Sequence, residues 1–235
     1  MTKSSIVLFA AIFMSIATIG CTEAPPAKTD AAVEEMQKLP EDPSPIATPS
    51  KWIEDTHYKV IADEATAQKE VVEFFSFWCP ACYHFEGIVS QIKSNLNDDV
   101  SFKKIHVNFM GFTSKENQEH ATKGMLIGKS LGKEELMIAA IFAHIHEQGQ
   151  KIEGIDDIKE LFVSYDFSTA EVESALNDEE VINAFAENNS EIDKFKPYLN
   201  GVPNIIVNGK YQAKFTRDMS LQDIVDLINW LSEQN

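Results

Sequence analysis

The clearest pattern of hydrophobic and polar positions runs from Val71 to Leu96. A short apolar run, Val71 to Phe75, has the length and composition of a buried central strand. It breaks at Cys79-Pro80-Ala81-Cys82. Beyond the break, Cys82, Phe85, Val89, Ile92 and Leu96 recur every three or four residues, which predicts one face of a helix ending near Asn97. Ser101 to Phe109 then reads as a second strand. Strand, helix, strand is a β-α-β unit with a right-handed crossover and parallel pairing. Upstream, Tyr58 to Ala62 is a weak strand suited to a sheet edge.

From Ser114 to Phe195 the sheet pattern is replaced by a helical one. Gly132 closes a first helix there, Leu136, Ala139, Ala140 and Ala143 mark the inner face of another, and Ser168 with Glu171 forms a capping box ahead of Val172, Ala175 and Leu176. His144 and His146 are two apart, on different faces of a helix, which argues against a metal site. The sheet pattern returns at Gly201-Val202-Pro203, followed by Ile205 to Val207, an Asn208-Gly209 turn and a strand around Tyr211 to Phe215. Ser220 and Asp223 open a last helix carrying Leu221, Ile224, Val225, Ile228 and Leu231 on one side. The expected division is residues 51–112 and 197–235 as two pieces of one α/β domain, with residues 113–196 inserted between them as helices.

The segment ahead of this domain differs in character. Lys3 followed by the apolar run Ile6 to Ile19 reads as an export signal over residues 1–20, too short for a comfortable membrane span. Thr18-Ile19-Gly20-Cys21 resembles a lipobox in which Cys21 becomes the lipidated first residue. Thr18 departs from the usual Leu, and plain signal cleavage nearby is the alternative. Residues 21–50 contain six prolines and, from Thr22 on, six acids against two lysines, the composition of an extended tether. The whole chain of 235 residues is 44% hydrophobic, enough for a real core, and its net charge of -17 argues against a nucleic-acid partner.

The chemistry is concentrated at Cys79 and Cys82. Their C-x-x-C spacing falls on a strand-to-helix switch, so the first sulfur meets unpaired helix N–H groups. The helix N-terminus is worth about 0.3 to 1 kcal/mol to an anion and up to about 2 when partly buried. On that basis the Cys79 thiol is expected to move from about 8.5 towards about 7. A zinc site needs two further ligands at comparable spacing, and the only other cysteine is Cys21. A structural disulfide is the second alternative, weakened by Pro80, which favours a helical first turn, and by the aromatics before it. Glu73 is out of place inside an apolar run, where a carboxylate is expensive unless paired or protonated; an exposed strand-edge glutamate is the alternative.

Three stretches, FFSFWCPACYHFE, HVNFMG from His106 to Gly111, and GVPNIIVNGKY from Gly201 to Tyr211, together closely resemble the bacterial thiol:disulfide oxidoreductases of the DsbA type. The resemblance spans roughly Lys51 to Asn235. It implies an α/β thioredoxin fold with an inserted α-helical domain, and an exported, periplasmic enzyme with no bound cofactor. It assigns Cys79 as the exposed sulfur that exchanges with substrate, Cys82 as its buried partner, and Pro203 as a cis-proline facing them. An ordinary trans-proline at a strand start is the alternative for Pro203. Val202 would offer backbone groups to an extended peptide, and Phe77, Trp78, Met110 and Phe112 would line an apolar substrate surface. Glu73, Glu86 and Lys104 would lie beneath the site, with Glu73 either a proton acceptor near Cys82 or half of a buried pair with Lys104. The partners implied are reduced exported proteins and a membrane redox protein for regeneration.

The main departure from the family is Ala81, where its best-known members carry His. Losing that imidazole is expected to give a weaker oxidant, between the reference values of about -120 mV for the family and about -270 mV for thioredoxin. A disulfide reductase or isomerase and a chaperone-like peptide-binding module remain as rival readings. No dimerisation segment is evident, so a monomer is expected.

Overall fold

The computed structural model describes residues 50–234. The expected signal, Cys21 and nearly all of the tether lie outside them. Among the described residues no helix is long and apolar enough to cross a membrane.

Among the described residues five strands form one sheet in the order β1-β5-β4-β2-β3. Its centre is β2 (Glu70–Phe75), which pairs in parallel with β3 (Ser101–His106) and antiparallel with β4 (Asn204–Val207). The β4 strand continues through the Asn208-Gly209 turn into β5 (Tyr211–Ala213), and β1 (Tyr58–Val60) closes that edge. Both turn residues have positive φ, 51° and 62°, a backbone that Asn and Gly adopt more readily than other residues. The Asn208 side chain accepts from Glu70 N–H at 3.0 Å and donates to Ser232 O at 2.9 Å, tying the start of β2 to the end of the last helix.

Helices cover both faces of β2, which is why five of its six residues are buried. On the Val71 side, α1 (Pro80–Asn95) and α7 (Leu221–Ser232) pack Phe85, Val89, Ile92, Ile224, Val225 and Ile228 against it. On the Val72 and Phe74 side lie Ile192 and Phe195 of α6 (Glu179–Phe195). Neither face offers Glu73 a way to water, so the exposed strand-edge alternative falls.

Between β3 and β4 the chain runs through α2 (Lys115–Ser130), α3 (Glu134–His146), α4 (Ile155–Val163), α5 (Thr169–Leu176) and α6. Gly132, at φ 67°, follows α2 as expected, and the Ser168–Glu171 capping box is formed. The inner face of α3 differs from the expected one. Leu136 and Ala139 are exposed, and Met137, Ile138, Ala140, Ile141 and Phe142 are buried. Two other boundaries move: α1 stops at Asn95, and β3 at His106 rather than Phe109. Leu221, expected inside, is exposed at the start of α7, where Leu227 is buried instead.

Candidate active site

The two cysteines sit where β2 gives way to α1. Cys79 is the N-cap of α1, and Pro80 and Ala81 form its exposed first turn. Pro80 fits there because the first N–H of a helix has no partner to lose. The Cys79 sulfur accepts from Cys82 N–H at 3.3 Å, satisfying one of the orphan donors at the helix start. Both cysteines are free thiols here.

Cys79 is less open than expected. It is 6% exposed, against 0% for Cys82, so the order of accessibility holds although both residues are largely buried. Burial pushes the Cys82 thiol well above its usual value. A backbone hydrogen bond from Ser76 opposes this, while Cys79 and Glu73 add to it. Cys82 therefore stays protonated when reduced.

The Val202-Pro203 peptide bond is cis, which removes the trans alternative. The Val202 carbonyl lies against the site, where the Cys79 thiol donates to it at 3.3 Å. Beneath the cysteines, Lys104 Nζ lies 2.6 Å from Glu73 Oε2 and 2.7 Å from Glu86 Oε1. The register explains the first contact, since Glu73 and Lys104 are directly opposite across β2 and β3. Burial raises the Glu73 carboxyl above the ordinary carboxylate value, against the pull of Lys104. Burial lowers Lys104, but the two carboxylates outweigh it and hold the ammonium above its usual value. The Glu73 Oε1 atom is buried without a hydrogen-bond partner, a place where a proton can be held. The pair with Lys104 and the nearness to Cys82 thus coexist.

The four apolar residues separate. Trp78 and Phe112 line one cleft of about 370 Å³ together with Thr113, Asn117, Ile145 and Ile152, and Phe112 is 61% exposed. Met110 packs instead on the side of Val202, with Gln118 gripping its backbone N–H at 3.1 Å and its carbonyl at 2.9 Å. Phe77 corrects the expectation: it is fully buried, packed against Phe75, Phe142 and His106, and cannot line a surface. The inserted helices cover the ring.

Several neighbours escaped the sequence reading. His146, at the end of α3, lies 2.7 Å through Nε2 from the Phe77 carbonyl and stacks on Tyr83. His106 is wholly buried, its Nδ1 2.7 Å from Thr122 Oγ1, and burial drops its pKa to about 3. Trp78 N–H donates to Ser76 Oγ at 3.2 Å. A serine just ahead of a turn is a legible local signal. Nothing local pairs Phe77 with a histidine 69 residues away.

Comparison with known proteins bears on all of this. Residues 70–226 match the DSBA-like thioredoxin domain family. The thiol:disulfide interchange protein DsbA of Haemophilus influenzae is 32% identical over 189 residues, covering 77% of this chain and 87% of that one. Its Escherichia coli K12 counterpart is 28% identical over 197 residues, covering 80% and 92%. The crystal structure of the disulfide oxidoreductase DsbA from Proteus mirabilis aligns with a TM-score of 0.67 at 26% identity, over 76% of this chain and 95% of that chain. The sheet, the helices set between β3 and β4, and the paired sulfurs are thus those of a thioredoxin fold with a helical insertion, and this chain, a thiol:disulfide oxidoreductase, belongs to the DsbA-like thioredoxin-domain family.

Proposed function

We propose that the enzyme is an exported oxidant that donates the Cys79–Cys82 disulfide to reduced proteins in the periplasm. A substrate thiolate attacks the Cys79 sulfur, the Cys79–Cys82 bond breaks, and a mixed disulfide forms. The electron pair of the broken bond goes to Cys82, which takes up a proton, with Glu73 as the nearest buried carboxyl able to supply one. A second substrate thiolate then attacks the substrate sulfur of the mixed disulfide, and Cys79 leaves. The substrate loses two electrons and two protons, and the enzyme gains them. A membrane redox partner accepts the electrons and restores the disulfide.

The observation that carries this reading is the difference between the two sulfurs. Cys79 meets a helix N–H and the Val202 carbonyl at the edge of the site, while Cys82 is sealed and stays protonated. An extended substrate segment running past Val202 brings its cysteine to Cys79, and the Trp78–Phe112 cleft takes a neighbouring apolar side chain. Ala81 supplies no side-chain donor to the sulfur, which supports a potential between about -120 and about -270 mV. Lipid attachment at Cys21 would hold the domain at a membrane, with residues 22–50 as its tether.

A Cys82→Ser variant has no disulfide to donate, so it should lose oxidase activity; mixed with an already disulfide-bonded protein, its Cys79 thiolate should open that bond and hold the protein as a mixed disulfide. The Cys79→Ser variant should lose oxidase activity while keeping any peptide binding. Oxidase activity surviving in Cys79→Ser would sink the mechanism. Faster reduction of insulin than oxidation of a dithiol peptide by the wild-type protein would favour the reductase reading. Equilibration with glutathione gives the potential, and a value at least as oxidising as that of relatives with His between the cysteines would refute the role given to Ala81.

A further inference from the structure

The turn that delivers Cys79 is held at both ends of a single peptide unit. Cys79 N–H donates to Ser76 O at 3.0 Å, closing a four-residue β-turn with Phe77 and Trp78 at its centre. The peptide plane between the two central residues is the one that differs between the common turn types, so it is the plane that can flip while the ends stay put. Its N–H, on Trp78, donates to the Ser76 hydroxyl at 3.2 Å. Its carbonyl, on Phe77, lies 2.7 Å from His146 Nε2. A carbonyl oxygen has no proton to give, so Nε2 carries the hydrogen and donates it.

His146 is itself braced. Its ring lies flat against Tyr83, at 7° and 5.1 Å between centroids, and the Tyr83 hydroxyl donates to Glu147. Tyr83 follows Cys82 in α1, and His146 ends α3. One histidine of the helical insertion therefore touches the chain on both sides of the cysteine pair.

The geometry points to His146 as a positioning residue for the active-site turn, one that fixes the Phe77–Trp78 peptide and so keeps the Cys79 sulfur over Cys82 N–H. That contact, 3.3 Å in the dithiol protein, serves a free sulfur. The same placement lets the Cys79 thiol donate to Val202 O at 3.3 Å, a hydrogen bond that a sulfur bonded in a disulfide, having no proton, cannot make. Holding the sulfur in place thus favours the reduced form over the oxidised one and makes the protein a stronger oxidant. A histidine that only packed would stabilise both forms alike.

Two substitutions separate these roles. His146→Phe keeps a flat ring on Tyr83 and removes the donor, whereas His146→Gln keeps an amide N–H at similar reach. Each is equilibrated with glutathione. In the Phe variant the disulfide should become about three- to tenfold harder to reduce, the range expected from one hydrogen bond, while the Gln variant stays within about twofold of the parent. An unchanged redox constant in the Phe variant overturns the inference, as does a Gln variant that behaves like the Phe one. Nitrogen NMR of the unsubstituted protein gives a test that needs no variant to fold: the His146 proton should reside on Nε2, and a ring protonated on Nδ1 alone overturns the assignment. Neither test depends on which protein is the substrate, only on the two cysteines cycling between dithiol and disulfide.

Discussion

Replacing Lys104 by Met tests the buried charge cluster most directly. The Lys104 side chain is 5% exposed and sits between Glu73, at 0%, and Glu86, at 30%. Met preserves most of the packing of the lysine stem and deletes the charge. Removing one partner of a buried pair costs about 3 to 5 kcal/mol, because the other charge is left uncompensated. The lower end applies here, since Glu73 can escape by taking a proton on its unpartnered Oε1. The pH dependence follows from that escape. Burial already raises Glu73 above the ordinary 4.5, and without Lys104 it rises further. The folded state then binds the proton more tightly than the unfolded chain. Its stabilising effect is complete below 4.5 and is lost as pH rises towards the folded value, by at most about 1.4 kcal/mol per unit. Urea denaturation of the reduced protein should give a deficit of about 3 kcal/mol at pH 7.5 that shrinks by pH 5. The double variant Glu73→Gln with Lys104→Met should recover most of it, because the fully buried charge is gone and Glu86 reaches water. A deficit below about 1 kcal/mol at pH 7.5, a deficit that grows as pH falls, or a double variant no better than the single one would refute the reasoning.

Other outcomes follow from single positions. His106 is held at about 3, so the folded state refuses a proton that the unfolded chain accepts below 6.5. Its contribution is therefore intact above 6.5 and erodes as pH falls towards 3, by at most about 1.4 kcal/mol per unit, and a His106→Asn variant with an unchanged slope between pH 6.5 and 4.5 would contradict this. Gly128→Ala should cost about 1 to 3 kcal/mol by overpacking, because an added Cβ would lie 2.7 Å from Met137 Cβ where α2 meets α3. Gly87→Ala, in α1 with nothing within 4 Å of the added carbon, should instead raise stability by about 0.5 to 1 kcal/mol, both read from urea midpoints. Phe112→Ala should raise KM for an apolar peptide substrate about fivefold, a loss of about 1 kcal/mol of contact, and an unchanged KM would remove the cleft from the substrate path.

How much of this was legible depended on the range over which each constraint acts. The β2-to-α1 switch could be read because its signals are local: an apolar run, a proline at a helix start, and a helical period beginning at the second cysteine. The capping boxes at Ser168 and Ser220 and the Asn208-Gly209 turn are equally local, and each is formed. The inner face of α3 could not be read in the same way. Glu134-Glu135-Leu136-Met137-Ile138-Ala139-Ala140-Ile141-Phe142 is apolar almost all round after its first two residues, so periodicity barely distinguishes one side from another. Contact with α2 decides instead, and the close approach of Gly128 to Met137 selects the Met137 face over Leu136.

The site divides along the same line. Glu73 could be seen as misplaced from its own neighbours, but its partner was fixed by strand register, which the sequence does not display until the β2–β3 pairing is known. Phe77 shows the opposite failure. Beside a reactive cysteine, an aromatic residue invites a surface role, yet an insertion whose own sequence carries no mark of where it docks turns the ring inward against Phe142. The same docking brings His146 to the Phe77 carbonyl. One event, the seating of α3 on the active-site turn, thus both removes a residue from the expected substrate surface and adds one to the machinery that positions the sulfur. Substitutions in the α3 contact should therefore alter redox behaviour more than their distance along the chain suggests, which is the sense in which the insertion belongs to the active site.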